Sequence, residues 1–144
     1  MIFEVGCQKS EVGNFYKFNA PKHSVMIKTF FDLDVYRLGN EYAMKIFKET
    51  RSFPKSEMYS LTSQIVDSSR SICANIAEGW GRRVYESEFK KFLVYSMGSL
   101  QETKSWLQFA CQCEYITDET LKNLSEEAEI IGSKLFKLHQ NWKS

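Results

Sequence analysis

Proline and glycine are scarce in this 144-residue chain, with two and seven copies. Both are read as falling mainly outside the periodic segments, as helices require, because proline breaks the helical hydrogen-bond ladder and glycine weakens it. No apolar run approaches the length of a membrane span. The opening Met1-Ile2-Phe3-Glu4-Val5-Gly6 lacks the basic segment and apolar stretch of a signal peptide. Only two histidines, His23 and His139, are present, with no pair at helical spacing and no Glu-x-x-His motif of the di-iron kind, so neither a metal nor a cofactor is expected. The four cysteines, Cys7, Cys73, Cys111 and Cys113, form no C-x-x-C and are expected as reduced thiols of a cytoplasmic protein. Lysine and arginine (19) nearly balance aspartate and glutamate (18), leaving a formal charge of +1. Binding to nucleic acid or an anionic membrane must therefore come from a local patch, and no membrane partner is expected.

What is present is an ordinary globular composition, 43% hydrophobic and 26% charged, with a high aromatic share of 15% that predicts a core rich in rings. The length suits one domain. Residues 1–28 combine Gly6, Gly13, Asn14, Asn19 and Pro21 with scattered aromatics and no sustained period, and are read as an irregular N-terminal arm. Met26, just ahead of the first helix, is also a plausible translation start. Residues 29–144 are read as the folded domain.

The fold class expected for that domain is all-α, an antiparallel up-down-up-down four-helix bundle. The first helix is predicted to open with Asp32 as N-cap and to bury Phe31, Val35, Leu38, Tyr42 and Ile46, before Phe53-Pro54-Lys55 turns the chain. The second, from Ser56 or Ser60, carries Leu61, Ile65, Ile72 and Ile76 among small residues that permit close helix approach. It is predicted to stop at Gly79 as a positive-φ C′ residue, leaving Trp80 to Val84 as a connector. The third, about Tyr85 to Cys113, repeats Phe89, Leu93, Ser96, Leu100, Thr103, Leu107 and Ala110 at spacings of four and three. The fourth starts at the N-cap Thr117, with Ile116 and Leu121 placed for a hydrophobic staple, and buries Leu124, Ala128, Ile131, Leu135, Leu138 and Trp142. Short connectors favour antiparallel neighbours. Phe92, Met97, Trp106, Ile130 and Phe136 widen the apolar faces beyond the need of one small bundle, which points to self-association.

No constellation reads as a catalytic centre, and the chain is expected not to be an enzyme. Gly79-Trp80-Gly81 resembles half of a dinucleotide fingerprint, without its third glycine or a preceding strand. Ser68, Ser69 and Ser71 lack a nearby histidine and suit helix packing. Asn75 and Glu78 share a helix face, and Glu78 can pair with Arg82. They read either as a polar clasp on the connector or as a binding contact between subunits. The functional cluster is basic and aromatic: Trp80, Arg82, Arg83, Tyr85, Lys90 and Lys91, with Arg70 nearby. Arginine forks grip phosphates and rings stack on unpaired bases. Glu78, Glu86 and Glu88 lie among them, so a solvated helix start stitched by ion pairs is the competing reading.

Several strings carry a resemblance: Phe31-Asp32-Leu33-Asp34-Val35, Phe53 to Leu61, Thr62-Ser63-Gln64-Ile65, Ser71-Ile72, Asn75-Ile76-Ala77-Glu78-Gly79, Gly81-Arg82, Phe92-Leu93, Gly98-Ser99-Leu100-Gln101-Glu102 and Tyr115-Ile116. Together they resemble the bacterial four helix bundle proteins, also called ribosomal-RNA intervening-sequence proteins. The resemblance implies a homopentameric ring of four-helix subunits without established catalysis. It also implies a relation to the accessory proteins of diversity-generating retroelements, whose partners are nucleic acid and a reverse transcriptase. Two departures stand out. Val66-Asp67 replaces a basic pair, which removes positive charge from that face, and Cys73 replaces a proline. The function expected is a non-enzymatic oligomer associated with RNA or DNA, and the alternative is a homo-oligomeric scaffold for a protein partner.

Overall fold

A computed structural model describes residues 27–143 of the chain. Four helices form: α1 (Asp34–Thr50), α2 (Leu61–Gly81), α3 (Glu86–Gln112) and α4 (Asp118–Asn141). Single 3-10 turns precede α1 (Phe30–Asp32) and α2 (Lys55–Glu57), and no strand occurs among the described residues. The packed pairs are α1 with α2, α2 with α3, α3 with α4 and α4 with α1, which closes the expected bundle. The expected arm lies almost wholly outside the described residues, as do His23 and Cys7.

The ends of the helices show how local chemistry sets their limits. Asp32 does not cap α1. Its carboxylate accepts from the backbone N–H of Lys28 (3.0 Å) and Thr29 (2.9 Å), closing the 3-10 turn, and α1 begins two residues later behind Leu33. Phe31, expected in the buried stripe, is consequently thrown outward and is exposed against Phe30 and Tyr36. Glu57 caps the start of α2 through Leu61 N–H (3.3 Å) and also accepts from Tyr115 OH (3.0 Å), which ties the α1–α2 connection to the α3–α4 connection. Thr117 caps α4 as expected, accepting from Thr120 N–H at 3.1 Å.

The predicted seams of α3 and α4 account for much of the core. Phe89, Leu93, Ser96, Leu100, Thr103, Leu107 and Ala110 are all buried, as are Leu124, Ala128, Ile131 and Leu135. The polar members of the α3 seam face α2 and are satisfied there. Ser96 Oγ donates to Ile72 O at 2.8 Å, and the hydroxyls of Thr103 and Ser68 meet at 3.0 Å. Buried hydroxyls held in this way avoid the penalty of an unpaired polar group. Ser68, Ser69 and Ser71 also donate to carbonyls of their own helix, those of Ile65, Val66 and Asp67.

Glycine behaves differently from the sequence reading. Gly39, Gly79, Gly98 and Gly132 all lie inside helices, and Gly79 does not end α2, which runs on to Gly81. The reason is space. A Cβ on Gly79 would stand 2.6 Å from Phe92 Cβ and 3.1 Å from Phe89 Cδ2, so only glycine lets the end of α2 press onto the start of α3. Gly81 meets nothing within 4 Å.

Asp34 adds a latch between α1 and α4. Its Oδ2 accepts from Lys134 Nζ at 2.8 Å while Oδ1 accepts from Arg37. The Lys134 hydrogen bond is the main force holding its carboxyl below the usual aspartate range, against the upward push of partial burial. A carboxylate lowered by folding stabilises the fold above its unfolded pKa. That contribution is lost as pH falls through the folded value.

Two measurements test this account. Gly79→Ala should cost about 1–3 kcal/mol by overpacking, whereas Gly81→Ala should add about 0.4–1 kcal/mol by restricting the unfolded chain. Urea titration of both variants reads the two signs, and equal effects would return Gly79 to the role of a simple helix stop. In acid, Asp34→Asn should flatten part of the stability loss. Because Asp34 is half exposed, the difference should not exceed about 1 kcal/mol at neutral pH. Melting curves recorded between pH 2 and 7 would show it, and a loss independent of pH would contradict it.

Candidate nucleic-acid interface

The basic cluster gathers where α2 ends and α3 begins, across a turn of four residues from Arg82 to Tyr85. A helix C-terminus carries partial negative charge and an N-terminus partial positive charge. Arginines after α2 and the glutamates Glu86 and Glu88 in the first turn of α3 are therefore where the backbone favours them. The turn is a place of dense local charge pairing for that reason.

Each cation has a distinct environment. Arg82 bonds Glu78 at 2.9 Å, lies 3.7 Å from Glu88, and rests over the Phe92 ring at 5.0 Å. Lys90 is held by Glu86 at 2.5 Å, and Lys91 lies 3.9 Å from Glu88. Arg83 is different. Its guanidinium sits 4.3 Å from the centroid of the Trp80 ring and donates from Nη1 to Trp80 O at 2.8 Å. No carboxylate among the described residues pairs with it. Four cations thus meet three carboxylates at the turn, and Arg83 supplies the unmatched charge.

The aromatic candidates separate by burial. Trp80 is only 8% exposed and packs edge-on with Phe89 (6.2 Å) and Trp142 (5.8 Å), so it is a core ring and not a surface for stacking on a base. The sequence reading placed it in a connector. Its spacing of four from Ile76 was the signal that it continues the buried stripe of α2. Tyr85 is 68% exposed at the N-cap of α3, beside Val84, another exposed apolar side chain that the sequence reading had not singled out.

The remaining candidates divide. Arg70 lies on α2 twelve positions before Arg82, about 18 Å along the helix axis, and covers the Phe47 ring at 5.3 Å on the α1 side. It does not join the cluster. Asn75 and Glu78 do not form one clasp: Asn75 Nδ2 donates to Ser99 Oγ at 3.3 Å across the α2–α3 seam, while Glu78 serves Arg82. Among the described residues no group of His, Cys, Asp or Glu could hold a metal ion. Cys73, Cys111 and Cys113 are free thiols, with burial pushing Cys73 up to about 12. No helix among the described residues is long and apolar enough to cross a membrane.

The family model described as 23S rRNA-intervening sequence protein matches residues 31–137, from the first 3-10 turn to the last turns of α4. The chain belongs to this family. A similar solved structure is a protein of unknown function from the S23 ribosomal protein family of Bacteroides thetaiotaomicron. It is 24% identical, with a TM-score of 0.67 over 74% of this chain and 96% of that one, and supports the fold. A comparison with curated proteins finds no match.

The two rings near the turn should respond differently to truncation. Trp80→Ala should lower stability by about 3–5 kcal/mol, as for a large core side chain. Tyr85→Ala should change it by no more than about 0.5 kcal/mol. Chemical denaturation of the two variants checks the division between core and surface.

Proposed function

We propose that this chain is a non-enzymatic, self-associating protein whose assembled form binds RNA, with the α2–α3 turn as the contact. The observation that carries this reading is the set of large apolar side chains left on the outer helix faces. Met44 and Phe47 on α1, Val94, Tyr95 and Phe109 on α3, and Ile130 and Phe136 on α4 are all exposed. Apolar residues distributed along several helix faces favour contact with other copies. The homopentamer implied by the family resemblance would use such faces.

Assembly and binding are linked by the electrostatics of the turn. One copy offers little net charge, since Arg82, Lys90 and Lys91 already pair with glutamates. Repeating the turn around an oligomer multiplies a weak contact through effective concentration. The family's name supports RNA as the nucleic acid. The serine hydroxyls bonded to carbonyls of their own helix support structural rather than nucleophilic roles.

A second reading is a homo-oligomeric scaffold for a protein partner, favoured by the same ion pairs, which satisfy most of the cations without phosphate. Light scattering coupled to size exclusion, followed by titration of labelled structured RNA across a salt series, separates the two. The first reading requires an oligomer whose RNA affinity falls steeply with salt as counterions are released. Phe109→Glu should lower both the mass and the affinity. An oligomer that binds no RNA at low salt supports the scaffold, and a monomer removes both.

A further inference from the structure

We infer that Arg83 is a stacking platform for an unpaired nucleobase, and not simply one more phosphate contact; this rests on the RNA-binding reading above. Three observations on this side chain converge. Its guanidinium carbon sits 4.3 Å from the centroid of the Trp80 ring, and the group is pinned by the bond from Nη1 to Trp80 O. Beneath it Trp80 is buried and held by Phe89 and Trp142, which themselves pack at 4.5 Å, so the support is fixed. Arg83 is nonetheless an exposed residue, so its side chain remains open to solvent away from Trp80.

A planar cation in that setting is prepared for one kind of ligand. Guanidinium planes stack on nucleobases as they do on aromatic side chains, and a base placed there would continue the order Trp80, Arg83, base. Stacking uses the face of the group, so it is compatible with the Nη1 bond that already occupies part of the edge. Holding the side chain in advance also reduces the entropy lost on binding. The neighbouring cations are less suited to this, because Arg82 is engaged by two glutamates, and Lys90 and Lys91 have no plane. Val84 and Tyr85, 76% and 68% exposed, follow directly in the chain and provide an apolar flank for the same nucleotide. A base within a duplex is already stacked on both faces, so the site selects single-stranded segments, loops or bulges.

The test compares wild type, Arg83→Lys and Arg83→Ala in the full-length protein. The probes are a short single-stranded oligoadenylate with a central 2-aminopurine and a duplex RNA of matching length. Arg83→Lys keeps the charge and loses the plane. It should weaken single-strand binding about tenfold, abolish the quenching of 2-aminopurine, and leave duplex affinity and the salt slope nearly unchanged. Arg83→Ala should lose the same quenching and also flatten the salt slope. Circular dichroism and melting of the variants check that the fold persists, as an exposed position at a helix end predicts. Single-strand affinity and quenching like wild type in Arg83→Lys would overturn the stacking role while leaving RNA binding intact. Equal loss on both probes would reduce Arg83 to a charge contact. Absence of any RNA binding by wild type at low salt would instead overturn the RNA reading, and this inference with it.

Discussion

The pressing of α2 onto α3 is the contact on which the remaining structure depends. It is made by residues that occupy little space or carry a hydroxyl: Gly79 against Phe89 and Phe92, Asn75 against Ser99, Ser96 against the Ile72 carbonyl, and Ser68 against Thr103. Larger apolar residues would fill this seam only at a greater separation of the helix axes. The hydroxyls give it a register as well, because each bond is lost if one helix slides by a turn. Leu93, Leu100 and Leu107 then line the same helix, and α4 closes over them with Leu124, Ile131 and Leu135.

That close approach also decides what the α2–α3 turn can present. Since α2 continues to Gly81, Trp80 remains on its buried face, and the chain has only Arg82 to Tyr85 in which to reverse. Arg83 falls three residues after Trp80 and comes to rest above it, which is the spacing at which helical side chains meet. Val84 and Tyr85 lie exposed, with none of the four described helices covering them. The exposed tip is thus a by-product of tight packing beneath it.

The periodic parts of the fold were legible in the sequence because burial on one helix face imposes a spacing. Every predicted seam residue of α3 is buried, and Thr117 caps α4 where its pattern of Thr, Asp and Glu placed it. Gly79 was misread because a glycine that ends a helix and a glycine that admits a neighbour look alike in sequence. The residue that distinguishes them, Phe92, is thirteen positions away. Asp32 failed as a cap because its carboxylate serves the turn before it, through the N–H groups of Lys28 and Thr29, and not the helix after it. At the site, the pairing of Glu78 with Arg82 followed from spacing, while the bond from Asn75 to Ser99 and the departure of Arg70 toward Phe47 required the packed arrangement of helices.

Charge alone would have ranked the cations of the turn equally, and the surrounding geometry does not. An arginine or lysine paired to glutamate must give up that partner before it meets a phosphate, so the gain from the new contact is offset by the loss of the old one. This applies to Arg82, Lys90 and Lys91. Arg83 has a ring and a carbonyl for partners, and neither neutralises it. Among the described residues of the turn, an approaching polyanion would therefore meet its strongest uncompensated field at a cation held in place by a ring and a carbonyl instead of a carboxylate. With a formal charge of +1 on the whole chain, that local field cannot be replaced by long-range attraction. Under the proposed RNA-binding reading, recognition at this turn would rest on contact geometry, and repetition of the contact in an assembly would be the means by which it gains strength.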